Sequence, residues 1–369
     1  MAAPESPLAD TEIILGNSNP KFSGVTSTML QVLRVQQGLA NVAVMGSHHL
    51  PENVRSLSFY EAASLCRKPH PDGCSRVFHA RRNNEVIQAL ILSRIMRCRL
   101  RIVFTATAQR NPSWITRWLI KQCHGILTTS QAANQYIEGG ADEIIPHGID
   151  LETYHPAEDK QALWDEFGFP GKRGIGIFGR VRHQKGVDVL VDAVLPLLEK
   201  HPDFTVIVCG ETTPDQVWFQ KELENKINAA GHSDRVVFLG KQPFEKIPKL
   251  FRAMSIVTAL SRNEGFGLTV PEAMASGTAV LASEAGAWKE VVRDGTDGFV
   301  IPCGDVAATR TKLDALMSSP DQLITMGQAG RKRVEQDYDL KREAKQITDF
   351  LTSIRHKKFC LSRGARENL

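Results

Sequence analysis

Seven cysteines lie scattered over 369 residues, at positions 66, 74, 98, 123, 209, 303 and 360, with no Cys-x-x-Cys pair among them. An odd, dispersed set supports neither a disulfide framework nor a zinc site, and fits reduced thiols in a cytosol. No stretch approaches the roughly 18 consecutive apolar residues that span a bilayer. The best one is interrupted by Gln88, Ser93 and Arg94. Residues 1–10 carry Glu5 and Asp10 and have no basic start followed by an apolar run, so no secretory signal is expected and a cytoplasmic location is. There is no low-complexity tract, no short-period repeat and no large imbalance of charge, the net being +4. What remains is ordinary: 42% hydrophobic, 23% charged, and long enough for about two domains at roughly 150 residues each. The small total hides an uneven distribution. Residues 1–150 carry 15 basic and 11 acidic side chains, 151–340 carry 22 and 27, and 341–369 carry 8 and 3. Between Arg55 and Lys121 the balance is 13 to 3. A neutral sum covers a basic stripe.

Short apolar runs alternate with amphipathic stretches along most of the chain. Strands are expected at 12–16, 41–46, 77–79, 100–106 and 125–130, with helices at 25–39 and 83–97. Pro51, Pro69, Pro71 and Gly73 mark 51–76 as an irregular loop region. A connector is expected through Ile145-Pro146-His147-Gly148-Ile149-Asp150, in which His147 reads as a linker residue. A second series follows, with strands at 174–179, 204–210, 235–240, 255–260, 278–283 and 298–302. Helices fall between them, and three more at 305–317, 321–336 and 340–354 close the chain. This is the βαβ rhythm of parallel sheets covered on both faces. It predicts two doubly wound α/β domains, 1–150 and 151–340, facing across a cleft, with ligands at the carboxyl ends of the strands.

Two segments carry chemistry. In Glu264-Gly265-Phe266-Gly267-Leu268-Thr269-Val270-Pro271-Glu272 an apolar strand gives way to a helix, and Pro271 fits only its first turn. Gly265 and Gly267 allow close backbone approach, and the N–H groups of Leu268 and Thr269 suit a diphosphate. Glu264 and Glu272 would repel phosphate, so they are read as acceptors of hydrogen bonds from hydroxyls, of a sugar on one side and a ribose on the other. The second segment is Phe178-Gly179-Arg180-Val181-Arg182-His183-Gln184-Lys185-Gly186. Arg180 offers a bidentate fork and Lys185 a point charge, both partners for phosphate oxygens.

GRVRHQKGVDVLVDA followed by EGFGLTVPEAMASG resembles the donor domain of the retaining family 4 glycosyltransferases, which have the GT-B fold. SGVTS near the start and IPHGIDLETYHP at the connector extend the resemblance over most of the chain. It implies a hexosyltransferase with Arg180, Lys185 and Glu264 in catalysis. Arg180 and Lys185 would neutralise the donor diphosphate and Glu264 would hold the transferred sugar. Backbone around Gly265, Phe266, Leu268 and Thr269 would assist, and Glu272 would take the ribose. Gly24 would let the first domain approach the diphosphate. No Asp-x-Asp motif lies near these residues, so transfer without a metal is expected, and no cofactor beyond the donor nucleotide sugar.

The first domain departs from the family pattern. Where many members carry a histidine after the fourth strand, this chain reads Phe104-Thr105-Ala106-Thr107-Ala108-Gln109-Arg110, so Thr107 or Gln109 would replace it. HARRN at 79–83, this segment and SGVTST are together similar to the lipopolysaccharide-core mannosyltransferases of alpha-proteobacteria, which transfer mannose from GDP-mannose to an inner Kdo residue. That resemblance implies an acceptor face built from His79, Arg81, Arg82, Gln109 and Arg110, an anionic glycolipid acceptor, and a peripheral position on an anionic membrane surface. The segment 341–369 is expected to pack back on the first domain, as in GT-B folds. A UDP-sugar donor with another acceptor stays open, as does a nucleotide-sugar 2-epimerase of the same fold, which would need acid and base groups around the sugar. A periplasmic-type sugar-binding protein would have no use for Arg180 and Lys185. Nucleic acid is not expected as a partner, since no binding motif accompanies the basic stripe.

Overall fold

A computed structural model describes residues 7–357. Parts of the expectations for residues 1–10 and 341–369 therefore fall on 1–6 and 358–369, outside the described residues. The chain divides into two units, one of 7–147 together with 340–357, the other of 148–339.

Among the described residues the first unit holds a seven-stranded sheet: β1 (Ile13–Gly16), β2 (Val42–Met45), β3 (Ser56–Leu57), β4 (Arg76–Ala80), β5 (Leu100–Ala106), β6 (Gly125–Thr128) and β7 (Glu143–Ile144). All pairs are parallel, in the order β3-β2-β1-β4-β5-β6-β7. Alternate residues of the apolar strands feed two cores. Ile14, Phe78 and Ile102 enter one, Ile13, Leu15, Val77 and Val103 the other. The helices are α1 (Gly24–Gln36), α2 (Phe59–Arg67), α3 (Asn83–Leu90), α4 (Trp114–Lys121) and α5 (Gln131–Asn134).

The loop expected at 51–76 is half wrong. It contains β3 and α2, and α2 is set by a capping box: Glu61 N–H donates to Ser58 Oγ at 3.3 Å and Ser58 N–H to Glu61 Oε2 at 2.7 Å. The helix expected over 83–97 is also shorter. α3 ends at Leu90, a π turn covers Ile91–Ile95, and Arg97 at φ 56° stops it.

The second unit holds β8 (Arg173–Phe178), β9 (Phe204–Cys209), β10 (Val236–Gly240), β11 (Met254–Ala259), β12 (Ala279–Ser283) and β13 (Phe299–Ile301). These are parallel in the order β10-β9-β8-β11-β12-β13. Its helices are α6 (Lys160–Glu166), α7 (Val187–Leu198), α8 (Val217–Ala229), α9 (Ile247–Ala253), α10 (Thr269–Ala275), α11 (Trp288–Val291), α12 (Val306–Ser318) and α13 (Pro320–Asp337). The last helix, α14 (Leu340–His356), belongs to the first unit, where Ile347, Leu351 and Ile354 join the core of Met29, Val32 and Leu33 from α1.

Both sheets change direction of strand order once, between β1 and β4 in the first unit and between β8 and β11 in the second. The loops leaving the carboxyl ends of those strand pairs diverge, and a crevice opens between them. Arg180 and Lys185 sit on the loop after β8, Glu264 on the loop after β11, and Arg81 and Arg82 on the loop after β4. Gly24 opens α1, His79 lies in β4, Gln109 and Arg110 follow β5, and Glu272 lies in α10.

Candidate active site

In the second unit the loop after β8 carries Arg180 and Lys185, and the loop after β11 carries Glu264. The two are laced together. Arg262 N–H donates to Gln184 O at 2.8 Å, and the Gln184 side-chain amide donates to Asn263 O at 2.9 Å. The Arg262 guanidinium forks onto Asp188, in the first turn of α7, at 3.0 and 2.7 Å. Gly186 lies at φ 72°, and a Cβ there would stand 2.1 Å from Leu260 O, so only glycine lets the loops meet this closely. The outcome is a pair: Lys185 Nζ donates to Glu264 Oε2 at 2.5 Å, with both side chains 19% exposed. Ser261 Oγ donates to the same oxygen at 3.2 Å. Arg180 is exposed and has no hydrogen bond or ion pair among the described residues, so its fork is available to an anion.

Past Glu264, Gly267 at φ 79° turns the chain into α10, its carbonyl accepting from Trp288 Nε1 at 2.8 Å. Leu268 caps the helix, Thr269 is its first residue, and Phe266 is buried in the core while its backbone stays in the loop. Glu272 lies one turn in. Burial pushes its carboxyl up to about 7, against the opposing pull of the Tyr154 hydroxyl, which donates to it. The Tyr154 hydroxyl is itself pushed up, first by burial and then by the neighbouring Glu272. Arg262, Asp188, Gln184, Ser261 and Tyr154 were not anticipated from sequence. Arg262, Asp188 and Gln184 join two loops and Tyr154 reaches Glu272 from the connector, contacts that no spacing along the chain signals, while Ser261 reaches Glu264 within its own loop.

In the first unit, a cavity of about 510 Å³ opens at the carboxyl ends of β4 and β5, lined by Arg81, Arg82, Asn83, Arg110, Ser113 and Thr116 among others. Of the five residues expected to meet an acceptor, His79 is out of reach of any ligand and Gln109 lies outside this cavity. His79 is wholly buried in β4, its Nε2 2.7 Å from Thr105 Oγ1, and burial with the nearby Arg81 charge drives its pKa well below the usual value. A histidine inside a sheet covered on both faces is a neutral core group. Gln109 does not line the cavity, whereas Thr107 and Arg110 do. Arg82 lines it but is largely committed: its guanidinium donates to Glu85 Oε1 at 2.9 Å, Ser23 Oγ at 3.1 Å and Thr26 Oγ1 at 3.0 Å. It ties the loop after β4 to the start of α1, where Gly24 faces open space. Arg81 is different. Its N–H bonds Glu85 Oε2 at 2.8 Å, but one guanidinium nitrogen, Nη1, is buried with no partner. Burial lowers its pKa to about 10, with the Glu85 and Glu343 charges opposing the shift. His147 is more than a linker: its Nδ1 lies 2.7 Å from Glu343 Oε1 of α14. Arg110 is exposed and without hydrogen bond or ion pair among the described residues.

Residues 160–333, all within the second unit, match the model of the family described as glycosyl transferases group 1. The lipopolysaccharide core biosynthesis mannosyltransferase LpcC of Rhizobium leguminosarum bv. viciae is 38% identical over 348 residues, covering 94% of this chain and 97% of that protein. The chain belongs to the group 1 glycosyltransferases. A second relative, the lipopolysaccharide core biosynthesis mannosyltransferase LpsB of Rhizobium meliloti, is 36% identical over 94% of this chain and 99% of that protein. Among solved structures, the C-terminal domain of the group 1 family protein LpcC of Francisella tularensis is 40% identical, covering 52% of this chain and 99% of that one, with a TM-score of 0.51. Anabaena HepE, solved in complex with UDP, matches 93% of this chain and all of its own at TM-score 0.81 and 21% identity, which supports the GT-B fold.

The raised carboxyl gives this glycosyltransferase a pH signature. An unfolded Glu titrates near 4.5, while folded Glu272 keeps its proton to about 7. The stability gained from protonated Glu272 is thus full below 4.5 and is lost as pH rises through about 7. Glu272→Gln is neutral throughout and removes that slope. Between about pH 5 and about pH 8, melting temperatures of wild type should fall relative to the variant. Parallel melting curves would show that Glu272 titrates normally.

Proposed function

We propose that this protein transfers mannose from GDP-mannose to the inner, Kdo-bearing region of the lipopolysaccharide core, with retention at the sugar carbon and without a metal ion. The observation that carries the reading is the lacing of the two switch-point loops of the second unit, which sets Lys185 against Glu264, with Arg180 exposed on the same loop as Lys185. The names of the two full-length relatives support mannose and the core. The arginine-lined cavity of the first unit suits an acceptor bearing a carboxylate or phosphate.

In this reading Arg180 and Lys185 neutralise the diphosphate, Glu264 accepts hydrogen bonds from the sugar hydroxyls, and Glu272 accepts one from the ribose. Backbone N–H groups from Gly265 to Thr269 face the same ligand. The bond from the sugar carbon to the diphosphate oxygen breaks as the bond to the acceptor oxygen forms on the same face. The acceptor proton passes to the departing phosphate oxygen, so no side chain serves as nucleophile. The protein works by positioning and by stabilising charge that grows on the leaving diphosphate. Arg81, with its buried unpartnered nitrogen, and exposed Arg110 take the anionic groups of the acceptor.

The test is a thermal-shift screen of GDP-mannose, UDP-glucose and UDP-N-acetylglucosamine, followed by transfer to deep-core lipopolysaccharide in buffer containing a chelator. Stabilisation and transfer by GDP-mannose alone are expected. A shift only with a UDP-sugar would overturn the donor, loss of activity with the chelator would overturn metal independence, and release of a free epimer without acceptor would overturn transfer.

A further inference from the structure

Among the described residues no helix is long and apolar enough to cross a membrane, yet one helix of the first unit carries large apolar side chains outward. In α4 the inner residues Leu119 and Ile120 are buried, while Trp114 is 73% exposed, Trp118 50% and Ile115 44%. Trp114 and Trp118 are one turn apart and so share a face. Asn83 Nδ2 donates to Thr116 Oγ1 at 2.8 Å, and Arg94 donates to Gln122 just past the end of α4. These ties hold α4 beside α3 and its π turn, where Ile95 is 74% exposed.

The charges around this face have mostly one sign. Arg94, Arg97, Arg99 and Arg117 are exposed. Lys121, 42% exposed, pairs loosely with Glu138 at 3.4 Å, the acid on this surface with a cation partner. An exposed tryptophan pair is costly in water, and arginines on the same helix and on and after the neighbouring π turn suit a protein partner only if that partner is acidic. Tryptophan and isoleucine flanked by arginine are what a lipid–water interface with anionic headgroups accommodates: rings at headgroup depth, guanidinium groups on phosphates.

We propose that α4 and the π turn form the surface by which this protein lies on an anionic bilayer, with Trp114 and Trp118 entering the interface and Arg94, Arg97 and Arg117 meeting lipid phosphates. Ser113 and Thr116, at the start of α4, also line the arginine-bearing cavity. The helix that touches lipid is therefore also a wall of the cavity that would take a lipid-anchored glycan. That last consequence rests on the acceptor reading above; the docking surface itself does not.

The experiment uses the full chain with vesicles of phosphatidylcholine alone or mixed with phosphatidylglycerol, in flotation across a salt series. Tryptophan fluorescence is read against lipids brominated along the chain. Binding to the anionic vesicles, weakening with salt, and quenching by brominated lipid are expected. Trp114→Ser with Trp118→Ser should cut vesicle partitioning by about tenfold or more. Alanine at Arg94, Arg97 and Arg117 should weaken binding most at low salt. Transfer to a water-soluble, deacylated core fragment should be the same for the tryptophan variant as for wild type, which separates failure of docking from failure of the enzymatic reading. The proposal falls if anionic vesicles are not bound at low salt, or if binding is indifferent to the tryptophans and unquenched. A dimer that the tryptophan variant dissolves, with no vesicle binding, would assign the face to a second copy and overturn it as well.

Discussion

Lys185→Ala should lower the turnover of glycosyl transfer by about 10³-fold, measured as kcat with saturating donor. In the proposed mechanism negative charge grows on the diphosphate as its bond to the sugar breaks, and Lys185 is the less exposed of the two cations assigned to it. In a partly buried site the local dielectric is low, so one donor there weighs as much as an oxyanion-hole group, whose removal costs about 10²–10³ in rate. Alanine adds a second penalty. It leaves Glu264 beside the diphosphate with its charge uncompensated, where wild type has the 2.5 Å pair. Lys185→Ala combined with Glu264→Gln should therefore lose less than the two single losses multiplied, because the two side chains act on each other. Arg180→Ala should cost less, about 10–100-fold, since Arg180 is exposed and water screens its charge. Folding should hold in all of these, because the Arg262–Asp188 fork and the Gln184–Asn263 bond still join the loops. Unchanged turnover in Lys185→Ala would sink the phosphate assignment.

How this site and its scaffold could be read before any coordinates differs from residue to residue. The strands were legible because a parallel sheet buried on both faces needs unbroken apolar runs, and Ile13 to Leu15, Val42 to Met45 and Phe204 to Cys209 supply them. Arg180, Lys185 and Glu264 stand out in the chain because glycine-rich turns directly after such strands leave few uses for charged groups, and the structure brings Lys185 and Glu264 into contact. The α2 helix was missed since the prolines flanking it outweighed Ser58-x-x-Glu61, a start signal that was present. His79 misled for a different reason. A polar residue at a strand end looks like a site residue, and only the helices on both sides of the sheet show that it has no access to solvent. Arg82 illustrates the same limit: its partners Ser23 and Thr26 lie more than fifty residues earlier, so the chain alone shows a cation without showing that it is already engaged.

The engagement of Arg82 makes Glu85 a structural keystone of the loop after β4. Glu85 is fully buried, and accepts from the N–H groups of Arg81 and Arg82 at 2.8 and 3.1 Å and from the Arg82 guanidinium at 2.9 Å. It fills the space beside Gly16, at the end of β1, where a Cβ would come within 2.9 Å of its Cγ. The carboxylate thus fixes the loop after β4, and through Arg82 the start of α1, on both sides of the switch point. Replacing Glu85 by alanine leaves the half-buried Arg82 charge and two backbone donors without their acceptor. Breaking a buried pair from one side costs about 3–5 kcal/mol, more than the net worth of the pair itself. At about 2–4 °C per kcal/mol for a unit of this size, the first unit should melt many degrees earlier. Glu85→Gln, which keeps the shape and one acceptor oxygen, should lose less. Donor binding separates this from damage to the site: the second unit contains every residue assigned to the nucleotide sugar except Gly24, so its donor-dependent thermal shift should persist in Glu85→Ala while transfer to the acceptor fails. A variant that melts with wild type would show that Arg82 and the loop after β4 are held by something other than this carboxylate.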